Sequence, residues 1–274
     1  MLNFFDQLEQ VLFAQKTEDK LKMFKQFYAE YKAGMLLFEA KSSKLDLQTP
    51  SYSAFCTIVP PQNVPKRKNL TTKEGQQYLL HAIAHIEYSA IDLALDAAYR
   101  FENMPKEYYD DWLEVADDEV RHFEMLHKLL LELGCSYGDI EVHNSLFEAM
   151  QRTQHSLLER MAIVPRYLEA NGLDATPMIL TKLQKLPQNS MLEKVMQALH
   201  VILEEEISHV QKGDRWFSYA CDAEQKDKTV YFEIIEKYYP VWMAKSKTLN
   251  IDARKAAGFT CKELSSMAHK DLCI

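Results

Sequence analysis

Two copies of one short pattern constrain this 274-residue chain more than anything else in it: Glu119-Val-Arg-His122 and Glu206-Ile-Ser-His209. Each lies in a run whose apolar residues recur at i, i+3 and i+4, the mark of an amphipathic helix. Glu and His three apart share one helical face. Around the first pair that face carries Trp112, Val115, Ala116, Phe123 and Leu126; around the second it carries Leu199, Ile202, Leu203 and Val210. Both pairs therefore point at a core. An ionised carboxylate in a dry core costs several kcal/mol unless it is paired, and a bound cation removes that cost while also taking the imidazole as a ligand.

In four-helix dimetal bundles of the ferritin-like kind, two helices each give one Glu and two each give Glu-x-x-His. Two further lone acids should then sit on apolar faces. In Gln77 to Phe101 the stripe Leu80, Ile83, Ala84, Ile91, Ala94 and Leu95 holds a single acid, Glu87. In Asn144 to Gly172 the candidates are Glu148, Glu159 and Glu169. Glu159 shares its face with Arg152, His155, Ser156 and Arg166, which reads as solvated. Glu169 sits with Met161, Ala162, Pro165, Leu168 and Leu173, and its sequence distance to Glu206 resembles that from Glu87 to Glu119. Glu169 is the choice and Glu159 the reserve. The metal set is thus Glu87, Glu119, His122, Glu169, Glu206 and His209. His81 and His85, one turn apart, form with Tyr88 and Asp92 the polar flank of the same helix, suited to supporting or surface roles.

The wider chain reads as all-α, a ferritin-like four-helix bundle with additional N- and C-terminal helices. It has seven glycines and no long alternating β pattern. Residues 1–70 read as a helical lead-in, Phe4 to Ala40, followed by a Pro-rich extended segment, Thr49 to Leu70. Residues 71–222 form the metal-binding bundle. Its first helix starts at Thr72; its second runs from Glu107 to Leu133, with Gly134 closing it. The third helix, from Asn144, is bent or bulged by Pro165 near Glu169. After Asn171-Gly172 come a crossover with a short helix around Pro177 to Leu186 and a fourth helix from Ser190 to about Ala220. Residues 223–274 are an extension holding two short helices in Val230 to Ile274. Trp216, Phe217 and Tyr219 read as core before pocket lining or electron conduction.

Five scattered cysteines without Cys-x-x-Cys read as free thiols. No run reaches membrane-span length and the N-terminus lacks a signal-peptide pattern, so the expected address is the cytoplasm. The net charge of −8 disfavours broad nucleic-acid binding, and Lys66-Arg67-Lys68 reads as a solvated loop. A homo-oligomer is compatible with these features.

Beyond these readings, the runs His81-Ala-Ile-Ala-His-Ile-Glu87, Ala116-Asp-Asp-Glu-Val-Arg-His-Phe123, Arg160-Met-Ala-Ile-Val-Pro-Arg166, Leu168-Glu-Ala-Asn-Gly-Leu-Asp174 and Glu205-Glu-Ile-Ser-His-Val210 resemble a bacterial family called domain of unknown function 455. The resemblance spans most of the chain and implies a ferritin-like core with a dinuclear metal site. More distantly, Glu169-Ala170 and the two Glu-x-x-His pairs are similar to the tRNA hydroxylase acting on methylthio-isopentenyl-adenosine. That enzyme family usually has Arg after Glu-Ala where this chain has Asn171, so the likeness carries metal binding and no substrate.

Four carboxylates and two imidazoles neutralise two divalent ions, and hard oxygen donors with His suit iron, or manganese, over zinc or copper. Glu119 and Glu206 are the bridging candidates, Glu87 and Glu169 the terminal ones, with one His per ion. The function expected is an O2-dependent di-iron oxygenase on a small or nucleoside-like substrate, with an external electron donor. The alternatives are a ferroxidase and a non-catalytic helical interaction protein.

Overall fold

A computed structural model describes residues 2–39, 44–66, 69–240 and 248–273. These are mostly helical, with almost no strand, and divide into two compact units, Met1–Glu148 and Ala149–Ile274.

The first unit opens with strand β1 (Leu2–Asn3) and helix α1 (Phe4–Leu12), started by Asn3, whose side chain accepts from the amides of Phe5 and Asp6. Helix α2 (Thr17–Lys32) leads to β2 (Leu36–Leu37), which pairs in parallel with β1. The Pro-rich segment is less extended than expected: it makes 3-10 turns at Ser51–Ala54 and Pro61–Asn63 and one β-bridge, Ile58 to Val142. Lys66 precedes Arg67 and Lys68, which lie outside the described residues.

Helices α3 (Lys73–Arg100) and α4 (Lys106–Glu132) form the body of this unit and pack along their lengths. Thr72 caps α3 through its hydroxyl on the Gly75 amide at 3.1 Å, as its position suggests. The α3–α4 turn puts Asn103 in the left-handed region (φ 59), which Asn tolerates. Gly134 (φ 69) ends α4. The lead-in docks through Lys20 of α2, fully buried, which donates to the Leu12 carbonyl at 2.9 Å and to Asp92 of α3. Ser51 donates to the other Asp92 oxygen at 2.6 Å. Asp92 is thus a buried tie and not the flank residue its spacing suggests.

Helix α5 (Ser145–Arg152) crosses the division between the units. In the second unit follow α6 (Leu157–Ile163), a π-helical turn (Val164–Glu169), α7 (Ala170–Gln184), α8 (Ser190–Ala223), α9 (Val230–Tyr238), α10 (Ile251–Ala256) and α11 (Cys261–Ala268). The expected third helix is therefore in pieces. Ser156 restarts it by capping the Glu159 amide at 3.2 Å. Pro165 has no N–H to give, and the backbone widens there: Ala170 N bonds Pro165 O, five residues back. Asn171 and Gly172 do not end the helix. It re-forms as α7 and runs through Pro177, so the expected crossover with a separate short helix is absent among the described residues. The C-terminal extension holds three short helices among its described residues rather than two. Cys261 and Cys273 are not free thiols but a disulfide, because the chain reverses after α11 at left-handed His269 and brings their Cα atoms to 5.2 Å. Cys56, Cys135 and Cys221 are free and buried.

Candidate metal centre

Glu87 faces inward from the middle of α3, and Glu119 and His122 from the middle of α4, because each is the polar member of an otherwise apolar stripe. Their exposures are 6%, 2% and 0%. His122 Nδ1 lies 3.1 Å from Glu87 Oε2 and 3.7 Å from Glu119 Oε2. One ligand atom from each of the three falls within a mutual 4.8 Å. Burial opposes protonation of His122, but the two carboxylates outweigh it and push the imidazole pKa up to about 11. Without metal, a proton on Nδ1 serves the place where a cation would hold the two acids together. The donors are hard oxygen and imidazole nitrogen, which fit iron or manganese.

In the second unit Glu206 and His209 are buried together on α8, with His209 Nδ1 3.3 Å from Glu206 Oε2. Glu169 ends the π turn with its Oε2 buried. It does not close with Glu206 and His209 to a mutual 4.8 Å. Its competitor Glu159 is committed at the surface of the unit. Its carboxylate takes Lys237 Nζ at 2.6 Å, His155 Nε2 at 3.0 Å and the Tyr238 hydroxyl. Burial raises the Glu159 pKa, and the bonds from Lys237 and Tyr238 more than reverse this, so it stays low. Trp216 and Phe217 are core residues, whereas Tyr219 is 40% exposed.

Of the two roles expected of His81 and His85, supporting or surface, burial excludes the second, since both are enclosed. His85 Nε2 lies 2.7 Å from the His143 carbonyl, which can only accept, so that nitrogen carries the proton and Nδ1 accepts from the Tyr137 hydroxyl at 2.9 Å. His81 Nε2 accepts from the amides of Gly138 at 2.9 Å and Ile140 at 3.4 Å. Burial pushes both pKa values down to about 4. These histidines pin the stretch after α4 to α3. Their partners, backbone groups and the Tyr137 hydroxyl, lie far along the chain, and no residue spacing announces such a pairing. A cavity of about 330 Å³ lies beside them, and none of Glu87, Glu119 and His122 lines it.

The chain belongs to the family described as "Protein of unknown function (DUF455)", whose model matches residues 13–265. It is 37% identical over 272 residues to an uncharacterized protein of Haemophilus influenzae, covering 95% of this chain and 92% of that one. No solved structure matches it.

Proposed function

We propose that Glu87, Glu119 and His122 of the first unit join Glu169, Glu206 and His209 of the second in one dinuclear centre. The four-helix core around it, residues 71–222, is then of the ferritin-like kind, with residues 1–70 and 223–274 packed as additions. The protein is on this reading an O2-dependent di-iron oxygenase, with manganese as the other candidate metal and a small or nucleoside-like molecule as substrate.

The observation that supports it best is the Glu87–Glu119–His122 cluster. Three ionisable groups buried within 4.8 Å of one another satisfy a cation far better than they satisfy a hydrophobic core. The α8 pair repeats the Glu-x-x-His half of that arrangement. With metal bound, Glu87 and Glu169 would be the terminal carboxylates and Glu119 and Glu206 the shared ones, His209 would be one imidazole ligand, and His122 would give up its Nδ1 proton to become the other. Iron, once bound, would supply electrons for O2 reduction, and a separate electron donor would restore them. Among the described residues no helix is long and apolar enough to cross a membrane.

Anaerobic reconstitution with ferrous iron, then exposure to O2, tests the reading. The expected result is two irons per chain and an O2 uptake that Glu119→Ala abolishes. Continued oxidation of ferrous iron far beyond two per chain, with mineral formed, would identify a ferroxidase instead. Absence of bound metal in the wild type would leave the interaction-protein reading.

A further inference from the structure

The π turn that carries Glu169 hands its main chain to the C-terminal helices. Tyr231 of α9, fully buried, donates its hydroxyl to the Arg166 carbonyl at 3.0 Å. Arg254 of α10 donates Nη2 to the Ala170 carbonyl at 3.0 Å and grips Asp174 at 2.7 Å. Asn250 Nδ2 reaches the Leu173 carbonyl at 3.2 Å, and Pro177, four residues on, has no N–H to offer it. Arg166 is itself buried, its guanidinium 4.7 Å from the Phe217 ring, 4.3 Å from Tyr231 and 4.7 Å from Phe259. Asp214 and Glu263 of α11 meet its charge at 2.9 Å each.

The same turn is pressed against the helix of the α8 pair. A Cβ on Gly213 would stand 2.6 Å from Pro165 Cγ, and Gly213 follows His209 by one turn. A Cβ on Gly172 would meet Glu206 Cγ at 3.8 Å. A π turn accommodates one residue more than an α turn. Its collapse to α geometry would change the phase of α7 relative to α6 by about 100° around the helix axis. Bonds at Arg166 O, Ala170 O and Leu173 O bracket that extra residue.

We infer that the C-terminal helices belong to the metal centre as its outer support: Tyr231, Arg166 and Arg254 are positioning residues that fix the register of the π turn and thereby aim the Glu169 carboxylate toward Glu206 and His209. They set the occupancy of the ion on that side and leave the Glu87–Glu119–His122 side untouched. The inference rests on the dinuclear reading above.

The test is a cobalt(II) titration, followed by visible ligand-field absorption and by metal content per chain, of the wild type, Tyr231→Phe, Glu169→Gln and the double variant. The wild type takes two cobalt ions. Tyr231→Phe loses only a hydroxyl; it holds the first ion with unchanged affinity and the second at least tenfold more weakly, with altered absorption for that ion alone. Glu169→Gln does the same, and the double variant is no weaker than Glu169→Gln. Arg254→Lys, which retains a charge for Asp174 and loses the fork that also reaches Ala170, carries the same comparison if Tyr231→Phe does not fold. Equal weakening of both ions, unchanged binding, or additive losses in the double variant would show a merely structural role and overturn the inference. A wild type that binds no cobalt overturns the dinuclear reading, and this inference with it.

Discussion

His122 is the residue whose state reports the site most directly. Its imidazole is held protonated by Glu87 and Glu119 up to about pH 11 without metal, so any cation must displace that proton. The apparent metal affinity should therefore rise about tenfold per pH unit, or about a hundredfold between pH 6.5 and 8.5, in competition titrations. A flat profile would mean the metal does not use this nitrogen. The same shift gives the apo protein stability that is fully present below the unfolded value near 6.5 and is lost as pH rises toward about 11. Thermal melts of apo protein should fall across that alkaline window, and His122→Gln should flatten them. Glu169 and Glu159 make a second comparison at this scale. Glu159→Ala should leave metal content nearly unchanged, because its carboxylate serves Lys237, His155 and Tyr238. Glu169→Ala should cut the content to one ion or none by direct metal analysis.

At the scale of elements, what was legible followed from periodicity and caps. The spans of α3, α4 and α8, and the inward aim of Glu87, Glu119 and Glu206, come from apolar stripes that only one helical phase satisfies. The π turn was legible only as a disturbance at Pro165. Its continuation through Asn171-Gly172 and Pro177 was not, because the groups that keep α7 intact there, Asn250 and Arg254, lie some 80 residues away in sequence. The disulfide was hidden for a similar reason, since a turn of α11 and a left-handed residue bring its ends together. Gly213→Ala should cost roughly 1–3 kcal/mol by driving a methyl into Pro165. That is a drop of several degrees in melting temperature, whereas an alanine at open Gly34 meets no neighbour and suffers only from its φ of 68. The stretch that His81 and His85 hold against α3 should loosen in acid. Both are neutral in the fold with pKa values near 4, so the stability they confer is complete above about 6.5 and is lost as pH falls from there toward 4. Protection against hydrogen exchange at Gly138 and Ile140, relative to the intrinsic rate at each pH, should fall across that window before the rest of the unit responds.

For the molecule as a whole, metal is expected to count as much for stability as for chemistry. A ligand present at a thousand times its dissociation constant stabilises by about 4 kcal/mol, so chelation should lower the melting temperature clearly. An unchanged melt in protein first shown to carry two ions would mean the carboxylates are solvated. Lys20 carries a different consequence. Its ammonium is fully buried, between the Leu12 carbonyl and Asp92, and Asp92 in turn takes Ser51. A shortened protein that begins after α2 would take from Asp92 its cationic partner, and removing one partner of a buried pair costs roughly 3–5 kcal/mol. It would also uncover the apolar side chains that Phe24 and Phe27 now cover. Trimming the chain down to its ligand-bearing helices should therefore yield insoluble material during expression, so the first forty residues are no removable prefix.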